Sequence, residues 1–414
     1  MSSRWRSAPG AVLAVLTGLN GLNYVDRYVG AATLPLILAS LSLSDASGGL
    51  LQSAFIITYS VVCPIVGWIG DRGNRARLAA AGVFVWSAAT VASGLAPTYL
   101  ALLLARAVVG VGEASYAVVT PSLLSDCYPA DRRARVLGIF YAAIPVGTAL
   151  GYILGGLVGE RQGWRHAFFI AGAPGLALAL LLLAIREPVR GAYDRPGAQA
   201  RTPPGLGASL RALLARRSYV CNTLAQVIYT FAMGGLATWI PTYFVRVRGI
   251  PLATAASTFG LLLVVAGFLG TLLGGRLGDA FARRAPGAHF LVSGWTLAAS
   301  LVFTVPAVLA PSPAVFWPAM FMTLLMLFVN VGPLNAAMAN VLPADLRARG
   351  FAATTMVIHL FGDAASPWLI GVASDAVGLT APVLVAGSML ALAGVVLLSG
   401  RRALERDMQA LGVG

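Results

Sequence analysis

Asp26 and Arg27 stand side by side in an otherwise apolar run from about Ala11 to Leu41, with Asn23 and Asn20 one and two turns before them. A carboxylate and a guanidinium inside a segment long enough to cross a bilayer are costly, so they mark a functional site or a structural ion pair. Asp26 suits a proton carrier: an acid in a low-dielectric cavity that faces the two sides of a membrane in turn couples its charge to that motion. The alternative is a permanent pair with an arginine that ties two helices together. Arg27 stays charged, its pKa lying above about 12, and its planar fork fits a phosphate, a carboxylate or a partner acid.

Arg106 and Glu113 are seven residues apart, nearly two turns, and share a helix face. Their separation along the axis is about 10 Å, so each is expected to find its partner on another helix, Glu113 pairing first with Arg27. Glu113 is otherwise a second proton site. His359 and Asp363, four residues apart, form a further candidate proton relay, with a plain hydrogen bond inside a bundle as the alternative. Asn222, Gln226, Tyr229 and Met233 recur at helical spacing. Asn330, Asn335 and Asn340 do not share one face and carry less information.

The elements that must hold these groups follow from composition. The 414 residues have a mean hydropathy of +0.81, 58% hydrophobic and 11% charged residues, values foreign to a water-soluble surface. Apolar stretches recur along the whole length without the period-two alternation of a membrane barrel, so the expected fold is an all-α integral membrane protein. Twelve transmembrane helices are expected, at about 11–41, 49–70, 78–95, 99–124, 136–159, 164–185, 218–245, 253–275, 289–309, 314–341, 351–374 and 380–399. The first run is too long and too poor in cleavage signals for a signal peptide.

All 29 basic residues are arginine, and 23 of them fall in the termini and alternate loops, 4 in the opposite loops and 2 inside spans. That bias, rather than nucleic-acid binding, accounts for the net charge of +14 and places both termini in the cytoplasm. Cys63, Cys127 and Cys221 are scattered and imply neither a metal site nor a disulfide scaffold. A channel would need a repeated ring of pore-lining groups, and an enzyme a nucleophile with its base or a metal cluster; the sequence offers neither pattern.

Internal matches give the domain plan. Gly67-x-x-Gly70-Asp71 with Arg75 returns as Gly275-x-x-Gly278-Asp279 with Arg283, and Pro129 to Arg135 returns as Pro343 to Arg349 with six of seven residues identical. Such repeats imply two six-helix halves related in parallel, 1–186 and 218–414, joined by a Pro-, Gly- and Arg-rich cytoplasmic linker over 187–217. A short amphipathic helix is expected near Gly207 to Arg217. Asp71 beside Arg72 and Arg75, and Asp279 with Arg283, read as inner ionic latches, and Pro145 amid Gly147, Gly151, Gly155 and Gly156 as a bend or a packing seam.

The twelve-helix plan with its Gly-x-x-Gly-Asp-Arg-x-x-Arg inner loop resembles the major facilitator superfamily. Asn23-Tyr-Val-Asp26-Arg27, Gly110-Val-Gly-Glu113-Ala-Ser-Tyr116, Pro121 to Asp126 and Phe140 to Gly147 together are similar to the Spinster family of lysolipid and sphingolipid transporters. The resemblance implies two pseudo-symmetric six-helix bundles that alternate access to a cargo such as a lysophospholipid or sphingosine 1-phosphate, with coupling to protons in at least some members. The expected proton-coupling residues are Asp26, Glu113, His359 and Asp363. Substrate contacts are expected at Arg27, Asn23, Arg106, Tyr24, Tyr116, Gln226 and Tyr229, and gating at Asp71, Arg72, Arg75, Asp279, Arg283 and Pro145. Tyr141, Phe231, Trp239 and Phe361 are further aromatics for an amphiphile's path or for packing. No cofactor and no metal are implied beyond a proton gradient; the partners are the amphiphile, protons and membrane lipids, with a monomer in a bacterial inner membrane. An organic-anion (sugar-acid type) or drug transporter of the same superfamily is the competing function, since helix 1 alone fits both. The second loop motif departs from the first at Ala280, where the first has Arg72.

Overall fold

The computed structural model describes residues 8–190, 205–285 and 287–411. Among these residues the ordered elements are helical: α1 (Pro9–Ser40), α2 (Asp45–Arg72), α3 (Arg75–Leu95), α4 (Tyr99–Cys127), α5 (Ala130–Gln162), α6 (Trp164–Leu183), α7 (Leu206–Leu214), α8 (Arg217–Arg246), α9 (Leu252–Ala282), α10 (Ala288–Leu309), α11 (Pro313–Phe328), α12 (Val331–Val341), α13 (Ala344–Ile358), α14 (Ala365–Val377) and α15 (Thr380–Gln409). A π-helical turn, His359–Asp363, joins α13 to α14.

Local chemistry sets the boundaries. Ser44, Asn74 and Thr98 accept the Ser47, Arg77 and Ala101 amides and so cap α2, α3 and α4. Gly163 and Gly378, with φ of 88° and 78°, end α5 and α14 in a conformation that side chains resist.

Eleven helices among the described residues are long and apolar enough to cross a membrane. The tenth expected span is one such stretch, broken at Val329–Asn330 between α11 and α12, and the eleventh runs through the π turn. α1 has 32 residues, about 48 Å of helix, but its strip of Asn20, Asn23, Asp26 and Arg27 keeps its hydropathy below that of the others. The chain is thus a multi-pass integral membrane protein. The short expected helix after the sixth span is α7, while 191–204 of the linker lie outside the described residues.

Packing groups the chain into two compact units, residues 1–198 with 238–261, and residues 199–237 with 262–414. In the first, α1 lies along α5, and α4 lies between α2 and α3. The seam between α1 and α5 is built on glycines four residues apart. A Cβ on Gly147 would stand 2.2 Å from the Gly21 carbonyl, on Gly151 2.8 Å from the Val25 carbonyl, and on Gly155 2.5 Å from the Ala32 Cβ. The same unit holds the C-terminal end of α8 and the N-terminal end of α9: Arg246 Nη1 pairs with Asp45 Oδ1 at 2.5 Å, and Tyr152 meets Phe259 edge-on at 5.2 Å. In the second unit α10 packs on α15 and α11.

Candidate functional site

Four charged side chains converge in the first unit. α1 brings Asp26 and Arg27, and α4 brings Arg106 and Glu113; Asp26 and Glu113 are fully buried and Arg106 is 3% exposed. Because the rise between Arg106 and Glu113 spreads them along α4, each addresses a different level of α1. Arg27 donates from Nη2 and Nε to one oxygen of Glu113, Oε2, at 2.8 and 3.2 Å. The other oxygen, Oε1, makes no hydrogen bond, although the Asn23 amide faces the same carboxylate.

Among the described residues Asp26 has no cation within ion-pair distance. Thr90 of α3 donates to its Oδ2 at 3.4 Å, Trp86 faces it, and Oδ1 has no hydrogen-bond partner. Arg106 is equally under-bound, since Nη2 donates to Gln52 Oε1 at 3.4 Å and Nη1 to nothing. It lines a cavity of about 20 Å³ with Gly30, Leu34, Gln52, Leu102 and Phe168, room for a water molecule. A buried acid and a buried base that satisfy one another only across a gap are a cluster poised to rearrange. Three aromatic rings surround Arg27: Tyr24, Phe55 and Tyr59, at 4.9, 5.0 and 5.3 Å from the guanidinium carbon. Its side chain retains 17% exposure, the highest of any ion-paired member of this cluster.

The other expected residues fall elsewhere. Asn20 bridges α1 to α5 by donating to the Phe140 carbonyl at 2.9 Å. Tyr116 is 1% exposed, donates its hydroxyl to the Leu16 carbonyl and meets Trp86 edge-on; it is a packing residue between α4, α1 and α3, not a wall of open space. In the second unit His359 Nδ1 lies 3.1 and 3.0 Å from the two oxygens of Asp363, across the π turn, and Gln226 donates to Asn222, which donates to the Leu334 carbonyl. Tyr229 is half-buried on the same helix. Pro145 sits half-buried inside an unbroken α5.

The inner latch is not the one expected around Asp71. Among the described residues the Asp71 side chain is exposed and makes no ion pair, and Arg72 stacks on Trp68. Arg75 instead pairs with Asp126 at 2.7 Å and with Glu187 at 2.7 Å. The other oxygen of Glu187 accepts the Ala76 amide at the start of α3, and Arg190 donates to the carbonyls of Gly70, Asp71 and Gly73 at the end of α2. A carboxylate at a helix N-terminus and a guanidinium at a C-terminus both complement the helix dipole. Asp279 and Arg283 have exposed side chains that make no ion pair among the described residues, and the Arg283 amide donates to the Asp279 carbonyl. Sequence reasoning passed over Gln52, Phe55, Tyr59 and Thr90, which are ordinary residues of apolar spans, and Glu187, hidden at the edge of the linker. The signal for Glu187 was a lone acid among arginines just past the end of α6.

The helical architecture, with its internal duplication and its charge cluster inside a bundle, defines a membrane transporter of the major facilitator class. Residues 16–367 match the family described as Major Facilitator Superfamily. Human protein spinster homolog 1 is 36% identical over 383 residues, covering 88% of this chain and 72% of that protein. The sphingosine-1-phosphate transporter SPNS2 of Danio rerio is 33% identical over 384 residues, covering 89% and 76%. Among solved structures, a bacterial homolog of the human lysosomal transporter Spinster superposes with a TM-score of 0.86 at 24% identity, over 98% of this chain and 99% of that one. The chain belongs to the Spinster family of the major facilitator superfamily, a family of transporters rather than enzymes.

Proposed function

We propose that the chain moves lysophospholipid- or sphingolipid-like amphiphiles across a bacterial inner membrane by alternating access driven by a proton gradient. The observation that carries this reading is the charged quartet of Asp26, Arg27, Arg106 and Glu113, all but Arg27 buried, in which one acid is paired and the other is not. Asp26 takes up and releases the proton, Glu113 is the second proton site, and His359 with Asp363 is an auxiliary proton relay in the other half, whose loss coupled transport tolerates. Arg27, ringed by aromatic groups and still reachable, meets the anionic head group together with Asn23 and Tyr24, and Arg106 supplies a second cation. Gln226 and Tyr229 contribute from the second half.

In this reading α1 counts as the twelfth span, both termini are cytoplasmic, and residues 1–186 and 218–414 are the moving halves of a monomer joined by 187–217. The SPNS2 relative is a sphingosine-1-phosphate transporter by name, which supports a cargo with one anionic head and one long chain. The test is uptake of a labelled lysophospholipid by liposomes containing the purified chain, with and without a pH gradient. Gradient-driven uptake is expected in the parent and lost in Asp26→Asn. Gradient-driven uptake intact in that variant removes Asp26 as the carrier; transport of a compact organic anion with indifference to acyl-chain length overturns the lipid cargo.

A further inference from the structure

The two arginines of the cluster share an aromatic ring. The Arg27 guanidinium carbon lies 5.0 Å from the centroid of Phe55, and that of Arg106 lies 5.1 Å from the same centroid. Both are within cation–π range, and Phe55 is 1% exposed, so neither attraction is diluted by solvent.

Backbone contacts fix where this ring stands. Thr58, one turn on from Phe55, donates to the Ala107 carbonyl at 2.8 Å, across the α2–α4 crossing. A Cβ on Gly110 would stand 2.4 Å from the Phe55 carbonyl, so the crossing is as close as two helix backbones allow. Gly110 lies between Arg106 and Glu113 on α4, and the ring is therefore clamped to the stretch that separates one arginine from the other arginine's acid.

That placement matters because Arg106 lacks a close acid while Glu113 has a free oxygen. Two guanidiniums repel in a low-dielectric interior, yet both are drawn to the negative π face of the ring. We infer that Phe55 is a positioning residue that holds Arg27 and Arg106 apart on one shared ring, and so reserves Glu113 for Arg27 and keeps Arg106 available. An aliphatic side chain of similar bulk fills the space without the quadrupole that holds the cations.

The test uses the purified full-length chain in detergent and in liposomes. Thermal unfolding is measured for the parent, Phe55→Leu, Phe55→Tyr, Arg106→Gln and the double variant Phe55→Leu/Arg106→Gln. The expected result is that Phe55→Leu lowers the melting temperature by about 4 °C or more, that Phe55→Tyr stays within about 1 °C, and that the loss from Phe55→Leu at least halves once Arg106 is neutral. An equal loss in both backgrounds, or a Phe55→Tyr as damaged as Phe55→Leu, overturns the inference.

Lysophospholipid transport is the second arm, and it alone rests on the proposed function. Maximal rate is expected to fall about ten-fold in Phe55→Leu with KM within about three-fold, and to return in Phe55→Tyr. A parent that does not carry the lipid defeats the substrate reading, and the unfolding cycle then decides the role of the ring. If Phe55→Leu is not recovered folded, Phe55→Met replaces it. If neither ringless variant folds, even with Arg106→Gln, the ring is a packing residue and the inference fails.

Discussion

α4 and its duplicate can be laid over one another without a gap, Tyr99–Cys127 against Pro313–Val341, 214 residues on. At the positions of Arg106 and Glu113 the second copy has Met320 and Leu327, 2% and 1% exposed. At Gly110, where the first copy lets α2 come within backbone contact, the second has the buried Leu324. At Asp126, which holds Arg75, it has Asn340, and Arg283 is left exposed. The same stretch of the repeat is thus part of an ionic centre in the first unit and a largely apolar strut in the second. Burying charge is expensive, and a fold that duplicates its backbone has no physical reason to duplicate that cost. The second unit keeps a lighter polar set, Asn222 with Gln226 and His359 with Asp363, all hydrogen-bonded within or next to their own helices.

The sharpest way to break this comparison is to remove one partner from the paired side. Glu113→Ala leaves Arg27 charged, half-buried and without its acid among Tyr24, Phe55 and Tyr59, with a cost of about 3 kcal/mol. Transport in liposomes is expected to fall at least about 100-fold, and the melting temperature to drop with it. Leu327→Ala at the matching place in the second unit creates a cavity worth about 2–5 kcal/mol of stability, yet the protein that does fold is expected to transport within a few-fold of the parent. Similar loss of transport per folded molecule in both variants would mean that the two copies of this helix do the same job.

The inner loops give the next largest contrast. Arg75 holds two carboxylates with its side chain 8% exposed, so Arg75→Ala is expected to cost about 2–4 kcal/mol. Arg283→Ala, at the same place in the repeated motif but exposed, is expected to change stability by less than about 0.5 kcal/mol. Thermal unfolding of the two variants side by side measures the difference. Equal losses would show that Arg283 has a partner of matching strength.

Much of this was legible before any coordinates. Eleven of the twelve expected spans followed from apolar runs, the duplication from two repeated loop strings, and the pairing of Arg27 with Glu113 from the inability of Arg106 to reach Glu113 along its own helix. That Gly147, Gly151 and Gly155 form a packing seam could be read from their spacing, while its partner, α1, could not. What spacing did not carry was choice among equals. Asp71 sits beside three arginines in sequence, but Arg75 turns instead to Asp126 and Glu187, which are 51 and 112 residues away. Phe55 and Gln52 stay invisible for a related reason: their roles come from the α2–α4 crossing, and nothing in their own neighbourhood sets them apart. The surroundings of Tyr116 were not legible either, because a polar tip on an aromatic ring fits a packed core with one carbonyl as well as it fits a cavity wall.

The smallest expected effect lies where the second unit comes nearest to copying the first. His359 and Asp363 form an i,i+4 pair within one helix, their side chains 28% and 19% exposed, and such a pair is worth under about 1 kcal/mol. Asp363→Asn keeps an acceptor for the imidazole, so the melting temperature should move by less than about 2 °C. The packing is less forgiving than the pair: Gly234 faces the Asp363 Cβ so closely that a Cβ at 234 would stand 2.7 Å from it, and Asn, being the same size, preserves that contact. Lysophospholipid transport driven by a pH gradient is then expected within about three-fold of the parent, against near-abolition in Asp26→Asn. A ten-fold or greater loss in Asp363→Asn at unchanged stability would make the relay of the second unit as necessary as Asp26. The contrast between them would then be one of partner choice, an arginine on a neighbouring helix in one and a histidine on the same helix in the other.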